Sequence, residues 1–319
     1  MSEPKSVRGV SRIVKKLDSA LEAQNYYEAH QIYRSIYYRF CAQKNYEELL
    51  GLLKKGIQYF IDYGQKTIVA DLTSLVVDVL EKTTPREEQD HVEWIKRLGA
   101  ILKEIGPIVE REALLAKIIK WSSSVNTGGK LGHPMVHKVV GQIMWLENNL
   151  EQAKHHFLLS KDGEGFAQML IQMSITKAYR GEIDLIIAQV ILQQLCLKEE
   201  PTAQQTFKTY TKLHPKILAE QPPYSLPLLN FLAFLLKLAK SGKLESFKTL
   251  CDLYKRSTDR DPSYEKYLQK IGTLYFGAPV PQQRSHHGLF GDLVNQFFQG
   301  LDDEPSSSTN ASSAVNDLD

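Results

Sequence analysis

The chain has 319 residues, 43 % of them hydrophobic and 24 % charged, with a net charge of +2. That is enough apolar material for one elongated domain or two compact ones, and too balanced a charge to be a nucleic-acid signature. Its three cysteines, Cys41, Cys196 and Cys251, are far apart and form no Cys-x-x-Cys pair, which argues for a reducing compartment and against a cysteine zinc site.

Residues 1–12 are polar and basic without an apolar stretch, so no secretory signal is expected. Val10, Ile13, Val14, Leu17, Ala20 and Leu21 then form one apolar helical stripe. Ala29, Ile32, Tyr33, Ile36, Tyr37 and Phe40 repeat it, as do Ile68, Val69, Leu72, Leu75, Val76, Val79 and Leu80. The breaks between them, Gln24-Asn25, Lys44-Asn45 and Tyr63-Gly64, are short, which places successive helices antiparallel. Residues 1–60 carry ten basic and six acidic side chains interleaved with Tyr26, Tyr27, Tyr33, Tyr37 and Tyr38. Such a surface is either a protein-binding patch or a solvated face over packed tyrosines.

The Ser- and Gly-rich stretch 123–132 reads as a flexible loop between an N-terminal half, 1–122, and a C-terminal half, 133–300. Its Gly128-Gly129-Lys130 trio is not a phosphate loop, because Ser124 and Leu131 stand where a Gly and a Ser or Thr are required. His133 and His137 share a helical spacing, and His155-His156 follow, but no local Cys or carboxylate completes a metal set. No nucleophile, acid–base or cofactor motif appears, so neither catalysis nor a cofactor is expected.

Trp145 to Ala153, followed by Phe157, resembles a tetratricopeptide turn. The whole reads as about thirteen or fourteen helices in degenerate repeats, an all-α solenoid of stacked antiparallel hairpins. In Leu226–Ala239, apolar residues surround the helix and require burial, either between neighbouring helices or against a partner chain. This run is too short and too interrupted to span a bilayer. Tyr275 to Pro281 can hold a short extended piece or hairpin, and Gly288–Phe298 is a final helix or a docking peptide. Residues 301–319 hold five acids and no Lys or Arg, leaving +7 on the rest, and are expected to be a disordered acidic tail. The expected location is the cytosol, with no direct membrane insertion.

Five stretches taken in order carry a family resemblance. They are Tyr26-Tyr27-Glu28-Ala29-His30-Gln31-x-Tyr33-Arg34; Lys120-Trp121-Ser122-Ser123 with Gly129 to Pro134; His156-Phe157-Leu158 through Gly165; Pro227-Leu228-Leu229-Asn230-Phe231; and Arg260-Asp261-Pro262-x-Tyr264 through Gly277. With them the chain resembles the Golgi-to-endoplasmic-reticulum traffic protein four family. The resemblance implies a non-enzymatic α-solenoid scaffold in the delivery of tail-anchored membrane proteins. Its N-terminal half would bind the targeting ATPase. Its C-terminal half would bind a ubiquitin-like-domain protein or a BAG-domain chaperone scaffold. Carried over by position, Tyr26, Tyr27, His30 and Arg34 would face the ATPase, with Lys15 and Lys16 adding charge attraction. Asp71 and Asp78 would regulate that partner. Leu228, Leu229, Phe231, Phe234, Tyr275 and Phe276 would line the other partner's groove. The alternative is a generic helical-repeat subunit of a large regulatory complex.

Overall fold

The computed structural model describes residues 5–83, 88–123, 131–179, 181–219 and 221–279, with side chains from Arg12 in the first segment and from Gln89 in the second. Most of the loop 123–132, the segment 288–298 and the tail 301–319 lie outside the described residues. Fifteen helices and no strand are found among the described residues. They group into two compact units, 1–169 and 170–319. This division differs from the sequence-based boundary at 123–132, because helices on both sides of that loop pack together in the first unit.

The first unit contains α1 (Lys5–Glu22), α2 (Tyr26–Gln43), α3 (Tyr46–Asp62), α4 (Lys66–Lys82), α5 (Glu88–Ile105), α6 (Glu110–Ser122), α7 (Pro134–Leu146) and α8 (Leu150–Leu159). A single turn recurs through the chain. Gln24, Lys44, Gly64, Asn148 and Lys198 all adopt left-handed backbone angles at a helix C-terminus. The N–H of the following residue reaches back five positions: Asn25 to Ala20 O at 2.9 Å, Asn45 to Phe40 O at 3.1 Å and Asn149 to Met144 O at 2.9 Å. This paired closure satisfies carbonyls that a helix end otherwise leaves open. The same following residue then caps the next helix, its carbonyl accepting from Ala29, Leu49, Val69, Ala153 or Ala203, each of them fully buried. A three-residue reversal thus delivers a small or aliphatic side chain straight into the hairpin seam.

Side chains at that seam are closely matched. Gly56 of α3 meets the Tyr33 ring of α2 so closely that a Cβ would stand 2.5 Å from it. Ile36, Phe40, Leu49, Leu53, Phe60 and Leu72 fill the space around them and are essentially inaccessible. Each such burial contributes about 1.5–3 kcal/mol.

The helix α9 (Gly163–Lys177) runs through the division at 169/170. The second unit continues with α10 (Ile183–Cys196), α11 (Glu200–Leu213), α12 (Pro227–Ala239), α13 (Leu244–Leu253), the single turn α14 (Lys255–Thr258) and α15 (Ser263–Phe276). Its centre is α10, which packs on α11, α12 and α15 and has ten buried residues. Asp184 in its first turn is 1 % exposed and accepts from Arg260 at 2.6 Å; Arg260 also donates to Gly181 O at 2.6 Å. Tyr210 and Tyr264 donate to Ile183 O and Leu185 O at 2.8 and 2.9 Å. The Arg260-Asp261-Pro262-x-Tyr264 motif therefore fastens the helix that centres the unit.

Helix α12 packs on α10, α11, α13 and α14, which bury seven of its residues and leave Phe234 exposed. Asn230 holds the approach to it, accepting from Tyr224 N at 2.7 Å and donating to Tyr224 O at 2.8 Å. Tyr275 and Phe276 are the last turn of α15, closed by the left-handed Gly277, and not an extended piece or hairpin; Val280 and Pro281 lie outside the described residues. Among the described residues no helix is long and apolar enough to cross a membrane.

Candidate protein-docking surface

Helix α2 begins at Asn25, whose side chain accepts from Glu28 N–H at 3.4 Å and donates to the Glu28 carboxylate at 3.0 Å. That reciprocal cap holds Glu28 where Lys16 of α1 reaches it at 3.0 Å. Lys15 is exposed. Tyr26 turns inward, its ring 5.8 Å from Tyr63 and 6.3 Å from Phe60, so it packs against the end of α3. Tyr27 turns outward and is 75 % exposed.

From Tyr27 the same face continues through His30 and Arg34, one and two turns on. There it meets α4. His30 Nε2 lies 2.7 Å from Asp71 Oδ2, and Arg34 lies 3.7 Å from Asp71 Oδ1. Asp71 is the first member of a polar stripe on α4 formed with Ser74, Asp78 and Lys82. Lys82 donates to Tyr37 O–H at 2.9 Å, which raises the lysine pKa, while burial raises that of Tyr37. Lys117 of α6 pairs with Asp78 at 2.8 Å and donates to Ser74 Oγ at 2.7 Å. The numbering of these links rises together on α2 and α4, so the two helices run parallel, and their polar edges form one cross-linked face.

The face combines exposed Tyr27 and Tyr38 with the ion pairs Arg34–Asp71 and Lys117–Asp78. Lys82 also stands 3.8 Å from the Cys41 thiol, and both signs of charge are present on the face. Such a surface suits recognition of another protein, with aromatic anchors and charged groups already positioned. Of the residues expected to face the ATPase, Tyr27, His30 and Arg34 lie on this face and Tyr26 packs inward, while Asp71 and Asp78, expected to regulate that partner, lie on α4. The structure joins His30, Arg34 and Asp71 in one cluster and gives Asp78 its own partner. Lys82 and Lys117 escaped the sequence reading. The i, i+3, i+7, i+11 spacing of Asp71, Ser74, Asp78 and Lys82 on α4 is the signal that points to Lys82; no local pattern points to Lys117 on α6.

The residues expected in a groove on the second unit divide differently. Leu228, Leu229, Phe231 and Phe276 are buried in its core, Phe276 stacking on Phe247 with ring centres 4.4 Å apart. They shape the unit from within and are not exposed contacts. Phe234, 40 % exposed, is the one of the six that presents a large apolar surface. Tyr275 is partly buried, and burial pushes its hydroxyl up to about 12. A cleft between α13 and α15 is lined by Phe247, Leu268 and Pro279 with Asp252, Asp259 and Glu265.

The histidines have structural partners. His137 Nε2–H donates to Leu131 O at 2.8 Å, so its Nδ1 accepts from His156 Nδ1–H at 3.0 Å. Burial lowers the pKa of both, against the Leu131 hydrogen bond in His137; burial and then repulsion from His137 and His155 bring His156 to about 3. His133 caps α7, its Nδ1 accepting from Met135 N–H at 3.1 Å. Among the described residues no group of three or more His, Cys, Asp or Glu could hold a metal ion.

The family description Golgi to ER traffic protein 4 matches residues 43–298. The chain is 40 % identical to the Golgi to ER traffic protein 4 homolog of Oryzias latipes, with all of both chains covered. It is 37 % identical to the homolog of Homo sapiens, covering 100 % of this chain and 98 % of that one. Its fold is that of a crystal structure of C. therm. Get4, with a TM-score of 0.75 at 21 % identity over 96 % of this chain and 100 % of the other. The all-α solenoid expected from the helical repeats is therefore the fold found, and the chain belongs to the Golgi to ER traffic protein 4 family.

Proposed function

We propose that this protein is a non-enzymatic cytosolic scaffold in the post-translational delivery of tail-anchored membrane proteins to the endoplasmic reticulum. Family membership supports the coarser part, a role in traffic to that organelle. The finer part is a bridge. The α2–α4 face receives a targeting ATPase, and the second unit receives a ubiquitin-like-domain or BAG-type chaperone partner. Clients pass between the two partners.

The observation that carries this reading is the cluster of Tyr27, His30, Arg34 and Asp71. An exposed aromatic anchor stands beside an arginine and a histidine held by one carboxylate. Aromatic and arginine side chains with restricted freedom lose little entropy on binding and are typical centres of binding energy. Asp71 acts by positioning both side chains, so a regulatory effect of Asp71 runs through His30 and Arg34. Asp78, engaged by Lys117, acts one step further along the same face. On the second unit Phe234 is the apolar contact, and the buried residues around it hold its helix in place.

The test is a pull-down from cytosol with the wild-type chain and the Tyr27→Ala/Arg34→Glu variant, read by mass spectrometry. The reading expects the wild type to recover the ATPase and the chaperone-module partner, and the variant to lose the ATPase alone. Recovery of neither partner by folded wild type would overturn it. So would equal recovery of the ATPase by the variant.

A further inference from the structure

Within the second unit, the C-terminal ends of α9 and α11 are tied together where Ser174 and His214 side chains meet, Oγ to Nε2 at 2.8 Å. Both groups are buried, and His214 Nδ1 accepts from Lys216 N–H at 3.2 Å, so the link also fixes the chain leaving α11. The residues that flank this buried link in sequence are unusual. Tyr179 is 81 % exposed and Leu218 is 94 % exposed, and Ile175 and Leu213 are each about half exposed. Lys177, Lys212 and Lys216 are interspersed with them and are also exposed. In sequence, the segments 175–182 and 208–220 hold five basic residues (Lys177, Arg180, Lys208, Lys212, Lys216) against Glu182 and Glu220. The Glu182 carboxylate is engaged by Tyr179 N–H at 2.9 Å.

We propose that this patch, formed by Ile175, Tyr179, Leu213 and Leu218 with Lys177, Lys212 and Lys216, docks the protein peripherally on an anionic lipid surface. The occupant follows from shape and charge. Leu218 and Tyr179 project almost without protein neighbours, whereas apolar residues that bind a peptide line a groove. Projecting Leu and Tyr side chains suit the boundary between headgroups and acyl chains, where an apolar body and a polar tip are both accommodated. Lysines beside them lay their stems along the apolar surface and extend their ammonium groups to phosphate. Lone exposed apolar residues are ordinary on protein surfaces. Val109 and Leu146 of the first unit are of that kind, each beside a glutamate in sequence. The four apolar residues of the patch differ in that, with three lysines, they flank in sequence the two ends of one buried hydrogen bond. Attachment through it is reversible and weakens with salt, because no membrane-spanning helix is involved.

The test is co-sedimentation of the full chain with phosphatidylcholine vesicles, with and without phosphatidylserine. Binding to the anionic vesicles is expected to exceed binding to the neutral ones by about tenfold or more, given roughly 1 kcal/mol for each lysine at an anionic surface. The Lys212→Glu/Lys216→Glu variant should fall to the neutral level. Tyr179→Ser/Leu218→Ser should also lose binding, whereas Leu146→Ser should retain it. Every substituted position is exposed, so circular dichroism should show all variants folded. Absence of preference for anionic vesicles overturns the proposal, as does binding that survives both double substitutions. Lysine-dependent capture of a poly-glutamate peptide by a chain that ignores vesicles also overturns it, in favour of an acidic protein partner. These residues lie outside the proposed ATPase face, so either result leaves the adaptor reading to its own test.

Discussion

Asp71 of α4 stands 2.7 Å from His30 and 3.7 Å from Arg34 of α2, so one carboxylate orients two side chains of the face that also carries Tyr27. All three side chains retain solvent access. Their mutual attraction is therefore worth at most about 1 kcal/mol to folding. The prediction is a separation of effects. Asp71→Ala should leave thermal unfolding within a degree or two, about what a sub-kilocalorie change gives, while weakening ATPase capture through the freed Arg34. A large loss of stability would show that the cluster serves packing instead.

The second unit offers the opposite case. Leu228→Ala should cost about 2–5 kcal/mol because the site is fully enclosed. Phe234→Ala, on the same helix but 40 % exposed, should cost much less and should weaken the chaperone-module partner. Urea unfolding beside a binding assay distinguishes the two. Equal destabilisation by both substitutions would contradict the assignment of Phe234 to the surface.

At the seam of α2 and α3, Gly56→Ala should destabilise by about 1–3 kcal/mol, as overpacking does. A methyl there collides with the Tyr33 ring. Pairing it with Tyr33→Leu, which withdraws the ring, should recover part of the loss, and thermal denaturation of the double variant checks this. No recovery would mean that the strain lies in the backbone.

The histidine pair predicts a pH dependence. Burial holds His137 and His156 below their ordinary value, His156 at about 3. An unfolded chain takes up protons near pH 6.5 that the folded one refuses. The stabilising contribution is therefore complete above about pH 6.5 and is lost as pH falls toward 3, at up to about 1.4 kcal/mol per pH unit for each histidine. His156→Gln should flatten the loss measured between about pH 6.5 and 5, where few carboxylates titrate. An unchanged slope would show that the pair is not kept neutral.

Much of this was legible in the residues. The apolar stripes of α1, α2 and α4 are visible as period, and Asn25 and Asn45 mark real helix starts. The recurrence of one turn geometry at Gln24, Lys44 and Lys198 was not, because the residues in the left-handed position share no chemistry. The fate of α12 was also open. An all-round apolar helix demands burial but does not say by what, and only the packing of α10, α11 and α13 decides it. The family resemblance places Leu228 and Phe231 in a partner groove, and the packing buries both. Asp71 and His30 are 41 positions apart, a pairing that no local pattern reveals.

The central claim is that one chain holds two partners at once, and sequential capture tests it most directly. The chain would be immobilised through the ubiquitin-like or BAG-type partner, washed, and offered the targeting ATPase. The account predicts that the ATPase is retained by the wild type and lost with Tyr27→Ala/Arg34→Glu, while the chain itself stays on the first partner. Displacement of the chain from the first partner by the ATPase, or ATPase retention that ignores the double substitution, would contradict it.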